Sequence, residues 1–308
     1  MPTKAPDIDQ RPSRFLQIGS LQALSHLRFV ARHRIEGAYA GRHLSRQRGG
    51  SSEFVDYREY APGEDLRRID WKVLGRTGKP YVRLYRDETN LRCTMLLDAS
   101  GSMQFAGHER RELGSKLQYV QYLATALSYL ISAQRDQVGL AIASDGIVDL
   151  IPPAGTSTHV QRLQKMIEDI TTSPVTNLAL ALRQAFDRIT GRGLLVVMSD
   201  FLVDDLDAVY SMLRLFRHRR SEVIVLHIVH PEEERLPDGR AYRFEGMEND
   251  GLADCSPAQV RETYEKLFAA HLSAVRGIAM SAGCDYRRIS TAVPYLQTLM
   301  GFLVEREG

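Results

Sequence analysis

No apolar run in this chain comes near the roughly 18 residues that a membrane-crossing helix needs, so no span is expected. The N-terminus, MPTKAPDIDQ, carries acids and lacks an apolar h-region, which argues against a secretory signal. Cysteine is scarce: Cys93, Cys255 and Cys284 are odd in number, far apart and without CxxC spacing. That pattern excludes a disulfide framework and a zinc ribbon, and a reducing cytoplasm is the expected compartment. There is a single tryptophan, Trp71, and the net charge is only +2.

The small net charge hides an asymmetry. Residues 1–92 hold 18 Lys+Arg against 11 Asp+Glu, and the remainder holds 22 against 27. Arg28, Arg32, Arg34, Arg42, Arg46 and Arg48 make the early region basic, yet no DNA- or RNA-binding motif accompanies them and a dense acidic stretch follows. A solvated or partner-facing basic surface is therefore expected, with no nucleic acid as partner. With 44% hydrophobic and 25% charged residues, the composition is that of a soluble globular protein.

The periodicity divides the chain at residue 90. Ahead of that point, the first dozen residues read as disordered, 16–34 as an amphipathic helix, and 37–52 as a mobile Gly/Ser/Arg loop. Residues 53–90 interleave charged and aromatic side chains. There Pro62-Gly63 reads as a turn, Asp65 as the cap of a short helix that Gly75 ends, and 79–87 as a strand. Arg67, Arg68, Asp70 and Trp71 read as a brace that docks this helix, because a tryptophan buries much area. Beyond residue 90, strands are expected at 91–97, 137–143, 147–151, 193–198, 221–229 and 285–290, alternating with helices, and a hairpin-like stretch lies between Pro231 and Ala253. This rhythm predicts an α/β fold with a doubly wound, mainly parallel sheet flanked by helices over 91–308, preceded by an N-terminal extension over 1–90.

The central stretch is Leu91–Met103, LRCTMLLDASGSM. Its first seven residues are mostly apolar, as suits a central strand covered on both faces. Asp98, Ser100 and Ser102 then follow at alternate positions around Gly101, so a tight turn can gather three oxygen-bearing side chains. One carboxylate and two hydroxyls suit a hydrated hard cation, Mg²⁺ or Mn²⁺, better than zinc; they equally suit capping of the next helix. A second apolar strand ends at Asp200, and the loop TTSPVTN between them offers Thr176, whose hydroxyl could cap a helix or meet a cation. His227 and His230, three apart on an expected strand, are poorly placed to chelate one metal and read as structural.

The set Asp98, Ser100, Ser102, Thr176 and Asp200 resembles the metal-ion-dependent adhesion site of von Willebrand factor A domains, over roughly residues 90–230. That resemblance implies Mg²⁺ held directly by the serines and Thr176, with one or both aspartates acting through water and an open position for a partner's carboxylate. The preceding EFVDYREYAPGEDLRRIDWKVLGRTGKPYVRLY, above all REYAPGEDLRRIDW, is similar to the signature of the family called domain of unknown function 58. This second resemblance implies a bacterial, non-enzymatic, protein-binding adaptor that works with a MoxR-type AAA+ ATPase in chaperone-like assembly or maturation. The alternative is a Mg-dependent phosphatase of haloacid-dehalogenase type. It lacks support at two points: Ser100 stands where the general acid is needed, and Lys165, in a helix ahead of the Thr176 loop, is not placed to hold a phosphoryl group.

Overall fold

The structure is a computed structural model and describes residues 13–17, 19, 21, 27, 29, 52–61, 69–87, 91–239, 241–248 and 251–307. It divides into two compact units, one comprising 1–34 with 91–308 and the other 35–90. The first dozen residues, Pro62-Gly63, Asp65, Arg67 and Arg68 lie outside the described residues, as do nearly all of the expected 37–52 loop and most of the 16–34 helix. Those of the latter that are described include Leu21, Leu27 and Phe29, all buried in the core of the α/β unit.

In the smaller unit β1 (Ser52–Glu59) pairs antiparallel with β2 (Tyr81–Asp87), and helix α1 (Trp71–Thr77) lies between them in sequence. The cap of α1 is Asp70, whose carboxylate accepts the Lys72 N–H at 2.9 Å. Its C-terminal stop is Gly78 at φ +69°, with Gly75 inside the helix, so the expected stop at Gly75 is corrected. A left-handed residue is what satisfies the last carbonyls, and Gly78 adopts it without steric cost. Trp71, the first residue of α1, is 63% exposed. Acrylamide should therefore quench its emission nearly as well as it quenches a free tryptophan amide. Strong shielding would contradict that exposure.

The larger unit is built on six strands in the order β10-β7-β6-β3-β4-β5. These are β3 (Arg92–Asp98), β4 (Gln137–Ser144), β5 (Gly146–Ala154), β6 (Leu194–Ser199), β7 (Glu222–Val229) and β10 (Asp285–Ser290). All neighbours are parallel except the β4-β5 hairpin. Coverage on both faces explains why the inner strands β3, β4, β6 and β7 are mostly apolar, whereas the edge strands β5 and β10 are not. Met95, Leu97, Val196, Met198, Ile224 and Leu226 face one layer, while Leu96, Leu195, Val197, Val223 and Val225 face the other.

The first layer holds α2 (Lys116–Ala133), α3 (Ser157–Glu168) and, at the C-terminus, α8 (Tyr295–Glu307). Against the other face lie α4 (Leu178–Arg188), α5 (Leu206–His218) and α7 (Pro257–Ser281). Between β7 and α7 the chain inserts a single turn, α6 (Pro231–Glu234), and a two-stranded hairpin, β8 (Tyr242–Glu245) with β9 (Leu252–Cys255). Among the described residues no helix is long and apolar enough to cross a membrane.

Strand order fixes where a ligand can enter. From β3 the chain crosses to β4 on one side, whereas β6, β7 and β10 are added on the other. The order reverses between β3 and β6, and outside the carboxyl ends of such a pair a crevice opens in doubly wound sheets.

Candidate functional site

Asp98 and Asp200 stand at that reversal. Leu97 lies opposite Met198 in the parallel β3-β6 register, so Asp98 ends its strand beside Ser199, with Asp200 one residue further. The two Asp98 oxygens are used separately: Oδ1 accepts the Ser100 N–H at 2.9 Å and Oδ2 accepts the Ser199 hydroxyl at 2.5 Å. Ser100 Oγ and Ser102 Oγ approach to 3.1 Å. The expectation that Asp98 and its serines cap the next helix is not met. A short 3-10 turn, Gly101–Gln104, follows without any side-chain cap, and the long helix α2 is capped by Ser115, which accepts the Gln118 N–H at 3.1 Å.

The loop carrying Thr176 is tied to the same crest. Ser173 donates its N–H to the Ala99 carbonyl at 2.9 Å, Asn177 donates to the Ser144 carbonyl at 2.7 Å, and the Ser144 hydroxyl donates to the Val175 carbonyl at 2.8 Å. Thr176 itself is half-buried between these anchors. It does not cap α4, because Asn177 Oδ1 accepts the Leu180 N–H at 2.9 Å.

A lysine joins the carboxylates. Lys116, the first residue of α2, is fully buried; its ammonium donates to Asp200 Oδ2 at 2.6 Å and to Glu233 Oε1 of α6. Burial opposes the charge on Asp200. The Lys116 ammonium and hydrogen bonds from Leu202 N–H and Ser102 outweigh it and hold the carboxyl below its usual range. Asp98 goes the other way. Burial first and the Asp200 charge second push it up to about 6, against its hydrogen bonds from Ser199 and Ser100. Glu233 is likewise raised, chiefly by burial, although Lys116 pulls it down. Asp200 and Glu233 thus share one ammonium with Asp98 close by, and among the described residues the crest carries more carboxylates than cations.

The insert after β7 wraps this crest. Glu232 accepts the N–H groups of His108, Glu109 and Arg110, at 2.7 Å from His108 and from Arg110. Glu233 meets Lys116, and Glu248, at the hairpin tip, accepts the Ser102 N–H at 3.2 Å. Gly101 is required beneath that tip, since a Cβ there would lie 2.1 Å from the Met247 carbonyl oxygen. His227 is buried on β7 with Nδ1 2.9 Å from the Tyr286 hydroxyl; burial, then His271, lowers its pKa to about 4. His230 lies past the strand rather than on it, and its Nδ1 accepts the Glu232 N–H at 3.2 Å. Both histidines have structural contacts.

A family model described as "Protein of unknown function DUF58" matches residues 56–274, from β1 to α7. The chain belongs to the DUF58 family. Proteins of Mycobacterium tuberculosis and Mycobacterium bovis, each described as uncharacterized, are 27% identical to this DUF58 chain over 293 residues, covering 92% of it and 89% of their own length. Among solved structures it is similar to the conserved hypothetical protein BatB from Bacteroides thetaiotaomicron, with 15% identity over 70% of this chain and 98% of that one, at a TM-score of 0.48. An aerotolerance-related membrane protein from Bacteroides fragilis gives 19% identity, 70% and 96% coverage, and 0.46. The SpRpn10 VWA domain gives 12%, 69% and 95%, and 0.38.

In this DUF58 chain the structure brings Asp98, Ser100, Ser102 and Asp200 together and holds the Thr176 loop alongside. Sequence reasoning missed Lys116, Ser199, Glu233 and Glu248. A lysine opening an apolar-striped helix, and a Ser immediately before the strand-end Asp200, were the available signals for the first two. No periodicity places Glu233 or Glu248 on the crest, because both arrive through an irregular insert. Among the described residues, no three His, Cys, Asp or Glu side chains converge as a metal cage. Any cation here would depend on hydroxyls and water as well as carboxylates.

Proposed function

We propose that this protein is a non-enzymatic, metal-dependent adaptor that binds a partner protein through a Mg²⁺ or Mn²⁺ site made by Asp98, Ser100, Ser102, Thr176 and Asp200. The observation that carries this reading is the pair of serine hydroxyls 3.1 Å apart beside Asp98 at the sheet's reversal point. Neighbouring oxygens on an octahedral Mg²⁺ lie about 2.9 Å apart, since its bonds are about 2.0–2.1 Å and meet at right angles. The serines therefore suit two adjacent positions. Asp98 and Asp200 already accept hydrogen bonds on each oxygen, which suits them to act through water.

The cation would supply a Lewis-acidic point that accepts a carboxylate from outside. The chain's own residues do the rest. Asp98 and Asp200 contribute negative charge, and Lys116 takes part of the Asp200 charge, so a bound dication keeps positive charge for a partner's acidic residue. Lys116 is committed to two carboxylates and Ser100 occupies the general-acid position, so the site offers nothing that favours phosphatase chemistry. Family resemblance supports a MoxR-type AAA+ ATPase as the partner, in the cytoplasm, in assembly or maturation of client proteins.

Calorimetry of the purified chain with Mg²⁺ or Mn²⁺ should give one site, and Asp98→Ala should abolish it. Identical titrations for the two proteins would sink the metal reading. A pull-down from the native host should then recover the ATPase in Mg²⁺ and lose it in EDTA or with Ser100→Ala. Recovery regardless of both would leave a metal site without the adaptor mechanism.

A further inference from the structure

The two edges of the six-stranded sheet differ. β5 carries Pro152 and Pro153, which have no N–H to offer, so that edge is blunted. β10 has no proline, and among the described residues it pairs only with β7. In a parallel pair the N–H and C=O of one residue point to the same side, and those of the next residue to the other. The Thr291 N–H donates to the Val229 carbonyl at 3.0 Å. By that alternation Arg287 and Ile289 turn their backbone groups to β7, and Tyr286, Arg288 and Ser290 turn theirs outward. The Ser290 carbonyl accepts the Val293 N–H at 3.1 Å. Among the described residues, the N–H and C=O of Tyr286 and Arg288 and the N–H of Ser290 are left without a partner.

We propose that the β10 edge is a protein-binding surface that takes an extended acidic segment of a partner as an added strand, independently of the crest site.

A groove of about 700 Å³ follows this edge, lined chiefly by β10, α7 and α8. Met280 of α7 and Val293, both on its lining, are 57% and 37% exposed. An extended segment laid there gains backbone hydrogen bonds from β10 and sets alternate side chains against these apolar groups, so the ladder supplies affinity and the groove supplies selection. Charge decides the chemistry of the segment. Three arginines, Arg276, Arg287 and Arg288, line the groove against two acids, Asp285 and Glu305. Both acids are already ion-paired, Asp285 with Arg306 at 2.9 Å and Glu305 with Arg287. Arg276 is exposed and has no ion pair among the described residues. Arg287 keeps a buried Nε without a hydrogen-bond partner. Arg288 meets Glu234 at 3.2 Å in an exposed pair, which water and salt weaken. A second copy of this chain is a poorer occupant, because two β10 edges brought together set like-charged arginines against each other, whereas an acidic strand meets them with opposite charge.

Fluorescence anisotropy of a labelled heptapeptide of alternating valine and glutamate, titrated with the full chain, tests this. The peptide should bind saturably, bind more weakly as salt is raised, and bind equally in EDTA and in Mg²⁺. Arg276→Glu, which changes an exposed side chain and leaves the ladder alone, should weaken binding by about tenfold. Arg288→Pro removes an outward N–H without touching the bonds to β7, so it should abolish binding while the cooperative thermal melt is retained. Methylating the peptide's own nitrogens should abolish binding with the protein unaltered. The absence of saturation at millimolar concentration, equal binding by wild type and Arg276→Glu, binding that survives the methylation, or its loss in EDTA would each overturn the proposal. A dimer in sedimentation that Arg288→Pro dissociates would give the edge to a second copy and overturn the acidic partner.

Discussion

Replacing Lys116 by methionine should destabilise the α/β unit by about 3–5 kcal/mol in the presence of a chelator, because it leaves Asp200 and Glu233 buried without their shared cation. Methionine nearly keeps the volume, so the loss is electrostatic rather than a cavity effect. With a urea slope of about 1–3 kcal/mol/M, the unfolding midpoint falls by roughly 1 M or more. The variant should also become metal-responsive. With the ammonium gone, Asp200 is free to turn its full charge to a dication, so millimolar Mg²⁺ should recover part of the lost stability in the variant and stabilise the wild type less. Denaturant titrations of both proteins, in EDTA and in Mg²⁺, read the two effects together. Midpoints in EDTA that coincide within error would mean Lys116 does not neutralise the crest.

A second buried cation sits at the opposite end of the sheet, and its removal should cost as much. Arg306, in the last turn of α8, is fully buried and pairs with Glu222 and, at 2.9 Å, with Asp285, the first residues of β7 and β10. Its guanidinium carbon lies 5.8 Å and 5.4 Å from the ring centroids of Phe29 and Phe302. It therefore ties the C-terminal helix, an early segment of the chain and two strand starts into one cluster. Arg306→Met should lose about 3–5 kcal/mol, since it removes the buried guanidinium that Glu222 and Asp285 share. Combining it with Glu222→Gln and Asp285→Asn should recover most of that loss, because neutral partners do not require a counter-charge. Crest metal binding should be unchanged throughout, as the cluster lies at the strand starts and the site at the strand ends. A neutral Arg306→Met single variant would refute the brace.

Much of this molecule was legible before any coordinates. Apolar runs such as LRCTMLLD and GLLVVMS are readable because a strand covered on both faces needs apolar residues at every position, and the crest aspartates are readable because polarity changes within one residue at the strand end. The strands expected at 137–143 and 147–151 pair as the β4-β5 hairpin, and the Asp145-Gly146 turn between them is likewise a matter of local chemistry. The stop of α1 was misplaced at Gly75 because a glycine inside a short helix and a glycine ending it look alike in sequence; the left-handed backbone that marks the end belongs to Gly78.

By itself, then, the sequence determined the alternation of strands and helices, the doubly wound class, and the candidate oxygen set of Asp98, Ser100, Ser102, Thr176 and Asp200. Each of these is written in short-range patterns that local backbone geometry enforces. Only the tertiary structure decided which charges meet. Lys116 reaches Asp200 across 84 residues and Glu233 across 117, and Glu248 reaches Ser102 across 146. No periodicity encodes such pairings, because they arise from the strand order that sets β3 beside β6 and from an irregular insert whose path depends on what it packs against.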